Sequence, residues 1–142
     1  MPETTENEPG PVGRRSPALL ALLVVVGLEF AALVVLTVVL VVELLVAPAS
    51  SLASGVALTV LTAIAAVWLG SLLVGLRNGR AWVRAGIVVW QVLQGALAIG
   101  AFQGVFRVAW VGWLLLVPAL LGLTLVLSRP VTAALARRDD AD

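Results

Sequence analysis

The run ALLALLVVVGLEFAALVVLTVVLVVELLV, residues 18–46, decides the fold. Only Glu29 and Glu43 interrupt it, and at 1.5 Å per residue it outreaches a hydrocarbon core of about 30 Å. In lipid each backbone N–H and C=O must find its partner within the segment, so such a run is a helix. Its apolar residues do not alternate with polar ones, as the strands of a membrane barrel would. Three further apolar runs follow, at about 52–76, 82–103 and 108–128. Hydrophobic residues make up 61% of the chain and charged residues 12%. Soluble domains stand at roughly 45–50% and 25%. The expected fold is therefore all-α: an integral membrane, up-and-down bundle of four transmembrane helices.

The segments between the runs are short and turn-forming. Residues 47–51, Arg77-Asn78-Gly79-Arg80, and the stretch from Gln103 to Arg107 leave no room for crossovers, so consecutive helices are antiparallel neighbours. Residues 1–17, with Glu3, Glu6, Glu8, Arg14 and Arg15, read as a solvated, disordered cytoplasmic tail, and residues 129–142 as a second, polar cytoplasmic tail. Ala47 and Ala49 mimic a signal-peptide cleavage site. The preceding run is too long and too acidic for a signal h-region of about 7–15 residues, so it reads as a retained span.

Orientation follows from arginine. Arg14, Arg15, Arg77, Arg80, Arg84, Arg129, Arg137 and Arg138 fall at one end of the expected bundle, and Arg107 alone at the other. The positive-inside rule then puts both termini in the cytoplasm. All nine basic residues are arginine, and Ala, Val, Leu and Gly dominate, a bias expected of a high-GC bacterial genome and hence of a bacterial plasma membrane. Trp82, Trp110 and Trp113 fall at the interfaces where aromatic belts form, while Trp68 and Trp90 lie deeper and are placed to pack on each other between spans two and three.

Glu29 lies about 15 Å into the first span, near the midplane, where an acid costs about 2.5–3.5 kcal/mol and usually faces the bundle interior. Gln91 and Gln94, three residues apart on span three, share a face with Arg84 and reach the same depth. Glu29, Gln91 and Gln94 are thus expected to form an intramembrane polar cluster, read either as an interhelical hydrogen-bond clamp or as a transport site. Glu43, four turns beyond Glu29, is expected to pair with Arg107 at the outer interface. Small residues suggest close helix contacts along Thr59, Ala63, Ala66 and Gly70, and at Ala96, Gly100 and Gly104. Pro118 should kink span four and free a backbone carbonyl.

The missing residue types narrow function. The chain has no Cys, His, Lys or Tyr, and Met1 is its one methionine. That removes the usual ligands of haem, iron–sulfur, zinc and copper, so no cofactor or metal is expected. It also leaves little for nucleophilic or general-base catalysis, and Glu29 and Glu43, about 21 Å apart along one helix, cannot act on one bond. No enzymatic activity and no nucleic-acid partner are expected; the partners are the lipid bilayer and either further copies of the chain or another membrane protein. The turn Gly75-Leu76-Arg77-Asn78-Gly79-Arg80-Ala81-Trp82-Val83-Arg84 entering a third span resembles small, largely uncharacterised four-helix integral membrane proteins of high-GC bacteria. That resemblance implies the layout and no particular activity. Four spans with one acid midway along the first, in Gly27-Leu28-Glu29-Phe30-Ala31, also resemble the small multidrug resistance transporters. This second resemblance implies that Glu29 exchanges protons for cationic substrates in an oligomer. The chain departs from that family in its polar leading tail, its strong arginine asymmetry and its lack of tyrosine.

Overall fold

A computed structural model describes residues 15–46, 52–104 and 108–139. It contains α1 (Pro17–Val46), α2 (Leu52–Arg77), α3 (Trp82–Gln103), α4 (Ala109–Val126) and α5 (Arg129–Asp139), with no strand among the described residues. The first four are each long and apolar enough to cross a membrane. Their bounds follow the apolar runs to within two residues. Of the expected tail over residues 1–17, residues 1–14 lie outside the described residues and Pro17 opens α1; Arg107 of the expected Glu43–Arg107 pair lies outside them too, and Glu43 itself is exposed.

Local chemistry sets the helix ends. Ser16 caps α1, its hydroxyl accepting the Leu19 N–H at 3.3 Å, and Pro17 follows at the position where a missing N–H costs nothing. Between α2 and α3 the Arg80 N–H donates to the Gly75 carbonyl and the Gly79 N–H to that of Leu76. Gly79 adopts φ 70°, so this is a Schellman turn with glycine at its left-handed position. A two-hydrogen-bond turn of this kind reverses the chain within the four residues 78–81, which brings Val83 against Gly75 and Leu72 against Gly86.

The helices form a ring in which α1 packs on α2, α2 on α3, α3 on α4 and α4 on α1, leaving α1 and α3 diagonal to each other. Phe30 against Gly70 and Leu44 against Gly55 fix the antiparallel register of α1 and α2, and Phe102 against Gly112 that of α3 and α4. The small-residue stripe on α2 is used as expected, with Ala66 buried and Gly70 receiving the Phe30 ring. Gly100 is not: a side chain there would meet nothing within 4 Å, and Gly104 serves as the C-cap of α3, donating to the Gly100 carbonyl at 2.7 Å. The G-x-x-x-G therefore makes no helix contact within the chain.

Core packing is uneven along the bundle. Leu22, Val26, Leu72, Leu76, Val83, Ile87 and Val126 form one fully buried cluster at the arginine end. Toward the other end the buried residues are small: Thr62, Ala66, Ala98 and Gly112. The outward faces, from Val24 and Leu28 to Leu120 and Leu121, are exposed and apolar, as lipid-facing surfaces must be.

The segment after the fourth span is more than a polar tail. Arg129–Asp139 is helical, with Pro130 in its first turn, and Val131 and Leu135, one turn apart, are buried in the cluster at the arginine end. At that end α5 packs on α1 and α4.

Candidate intramembrane polar site

On α1 the residues Leu22, Val26 and Glu29 repeat at helical spacing and form its buried face. On α3 the matching face is Val83, Ile87, Gln91, Gln94 and Ala98. Two faces built mostly of aliphatic side chains thus bring one acid and two amides into the middle of the ring. Glu29 is 9% exposed, Gln91 2% and Gln94 5%.

The carboxylate of Glu29 reaches across the diagonal to α3. It accepts the indole N–H of Trp90 at 3.1 Å on Oε2, and the Gln91 Nε2 at 3.4 Å on Oε1 and 3.2 Å on Oε2. Donors to a charged acceptor are the stronger kind of hydrogen bond, and these bridge helices that are not ring neighbours. No arginine lies within the spans except Arg84, at the start of α3, and Arg77, at the end of α2. The carboxylate is therefore held by neutral N–H groups rather than by an ion pair.

The expected cluster forms in part. Gln91 donates to Glu29, and Gln94 lies beside the same carboxyl while its Nε2 donates to the Leu115 carbonyl of α4 at 3.1 Å. Pro118 has no N–H to give the Leu114 carbonyl, one residue before Leu115. The Leu115 carbonyl, next in line, is the one that takes the glutamine donor. Thr62, also buried, donates to its own helix at Leu58 O, 2.8 Å away, and so stays out of the cluster.

The pairing of Trp68 with Trp90 is not found. Trp68 points outward at 47% exposure, while the Trp90 indole turns inward to Glu29. A buried indole N–H needs an acceptor, and in this layer the only charged one is the carboxylate. Sequence reading also missed Gly122. The Gln91 carboxamide lies flat on the Gly122 backbone, so close that a Cβ at position 122 would overlap both Nε2 and Cδ. Nothing in the sequence separates Gly122 from the other glycines, whereas Trp90 could have been chosen by its place beside Gln91.

Two acceptors are left over. The Oε1 atoms of Gln91 and Gln94 are buried and have no hydrogen-bond partner among the described residues. In the observed orientation the Gln91 Nε2 faces Glu29 and its Oε1 is the unpartnered end of the amide. Chemically the site holds one carboxyl group, three donated N–H contacts and two idle carbonyl-type oxygens.

Comparisons of the chain with protein-family models, with curated proteins and with solved structures return no match, so the fold and this site stand on their own geometry.

Proposed function

We propose that the chain is a non-catalytic, multi-pass component of a bacterial plasma membrane, with both termini cytoplasmic, working as a subunit of a larger assembly or as a homo-oligomer. One observation carries this reading: Glu29, the acid in the bundle interior, is spent on direct hydrogen bonds to Trp90 and Gln91 that tie α1 to α3. An acid engaged that way fixes helix positions, which is what a structural component requires. The orientation rests on the gathering of arginine at one end of the bundle. Short connections leave the helix faces as the main surface for a membrane partner. Gly27, Gly95 and Gly100 present open backbone there, with nothing packed on them. Co-purification in mild detergent tests the reading: a defined oligomer or a stoichiometric partner is expected, and a monomer with no bound protein would count against it.

A second reading, a small proton-coupled transporter or channel working through Glu29, is favoured by the central position of the carboxylate and by the two idle amide oxygens beside it. Its test is proton or cation flux into vesicles carrying the wild type or Glu29→Gln. Flux lost in the variant supports it; equal flux in both, or none, removes it.

A further inference from the structure

We propose that Glu29, Gln91 and Gln94 bind one small, hard monovalent cation, sodium, inside the membrane. The inference builds on the site of the second functional reading but does not require transport. A cation that is bound and never crosses leaves flux at zero and binding intact.

Three features of the site point to a cation. The carboxylate of Glu29 is nine-tenths buried with no cationic side chain against it. Where that group is ionised its buried charge is costly, and N–H donors relieve only part of that cost. The idle Oε1 atoms of Gln91 and Gln94 are the second feature, since buried acceptors without a donor are rare in folded proteins and cost about 1–3 kcal/mol each. The third is their placement. Both glutamines sit on one face of α3, one turn apart, and both carboxamides lie against α4, at Gly122 and at Leu115. An oxygen-seeking positive ion answers the charge and the idle oxygens together.

The chemistry limits which ion fits. Glu29 and Glu43 are the acids of the spans, and Glu43 lies about four turns away, so one negative charge faces the site. Calcium and magnesium sites are generally built from more carboxylate charge, so a single charge matches a monovalent ion better. Soft metals are disfavoured by an all-oxygen ligand set. The charged or titratable groups on the packed elements are few near the site: none on α2 before Arg77, none on α4, on α3 only Arg84, about 10 Å below Gln91 along the helix, and on α5, at the arginine end, Arg129, Arg137, Arg138 and Asp139. A pH or salt response lost on changing Glu29 is therefore assigned to Glu29.

The test uses the purified full chain in mild detergent, unfolded by heat at constant ionic strength in sodium, lithium, potassium or choline chloride, at pH 8 and pH 5.5. Sodium is expected to raise Tm by about 3 °C or more over choline at pH 8, and less at pH 5.5, where protons compete. Glu29→Gln should abolish the difference, and Gln94→Leu, which spares the carboxylate, should weaken sodium binding about tenfold or more, the loss of one charged-group contact. A Tm that depends on pH but not on sodium, with the dependence lost in Glu29→Gln, reports titration of the carboxyl alone and overturns the sodium site. Equal Tm in all four salts at both pH values overturns the proposal. So does a sodium effect that survives in Gln94→Leu at full strength, the decisive variant should Glu29→Gln fail to fold.

Discussion

Gly122→Ala should destabilise the bundle although it adds one methyl group and improves helix propensity. The new Cβ would fall on the Gln91 carboxamide, which is 2% exposed and has no free space to move into. Overpacking of this kind costs about 1–3 kcal/mol. Glycine to alanine in a helix returns about 1 kcal/mol. Displacing Gln91 also removes its donors from the Glu29 carboxylate, and a hydrogen bond to a charged group contributes about 1.5–3 kcal/mol. The net expected loss is about 2–4 kcal/mol, the propensity gain being outweighed. The assay is reversible unfolding in mixed micelles of a mild detergent and SDS, with Gly100→Ala as the control because nothing lies within 4 Å of its added methyl. The control should be neutral or slightly stabilised. A double variant, Gly122→Ala with Gln91→Ala, should recover most of the overpacking, since the two changes are coupled through one contact. Equal stability of Gly122→Ala and Gly100→Ala would refute the reasoning.

Other consequences follow from single contacts. Trp90→Phe keeps the ring and removes the indole donor to Glu29, and should cost about 1 kcal/mol or more in the same assay, whereas Trp68→Phe, on an exposed face, should cost little. Gly79→Ala forces a side chain into φ 70° and should lower stability by about 1–2 kcal/mol, read by SDS titration. Leu135→Asp puts a charge into the cluster at the arginine end, and hydrogen exchange of the α5 amides should rise to that of a free segment while the four spans stay protected.

How much of this was legible in the sequence depends on which physical property each feature uses. Span positions are set by length and hydropathy, so the run over residues 18–46 reads directly. The depth of Glu29 and Gln91 follows from helical rise, and their meeting was legible for that reason. Rotation was not. α1 is apolar almost all round, so its hydropathy does not say which face turns inward. The same gap misled the pairing of Trp68 with Trp90, whose depths match but whose faces differ. Depth placed Gln94 beside Glu29 but could not show that its Nε2 reaches the Leu115 carbonyl on α4. The burial of α5 had one available signal, Val131 and Leu135 at i and i+4, the two large apolar residues of a segment otherwise small or polar apart from Pro130. Gly122 had none, because its role exists only once α3 and α4 are docked.

The central claim is a four-span bundle with both ends on one side of the membrane, and labelling of single cysteines tests it most directly. The chain has no native cysteine, so each introduced thiol reports alone. With a membrane-impermeant maleimide on intact bacterial cells expressing the chain, Ser50→Cys should label, while Asn78→Cys and Ala141→Cys should label only after lysis. Labelling of Asn78→Cys in intact cells, or equal labelling at all three positions, would contradict the account.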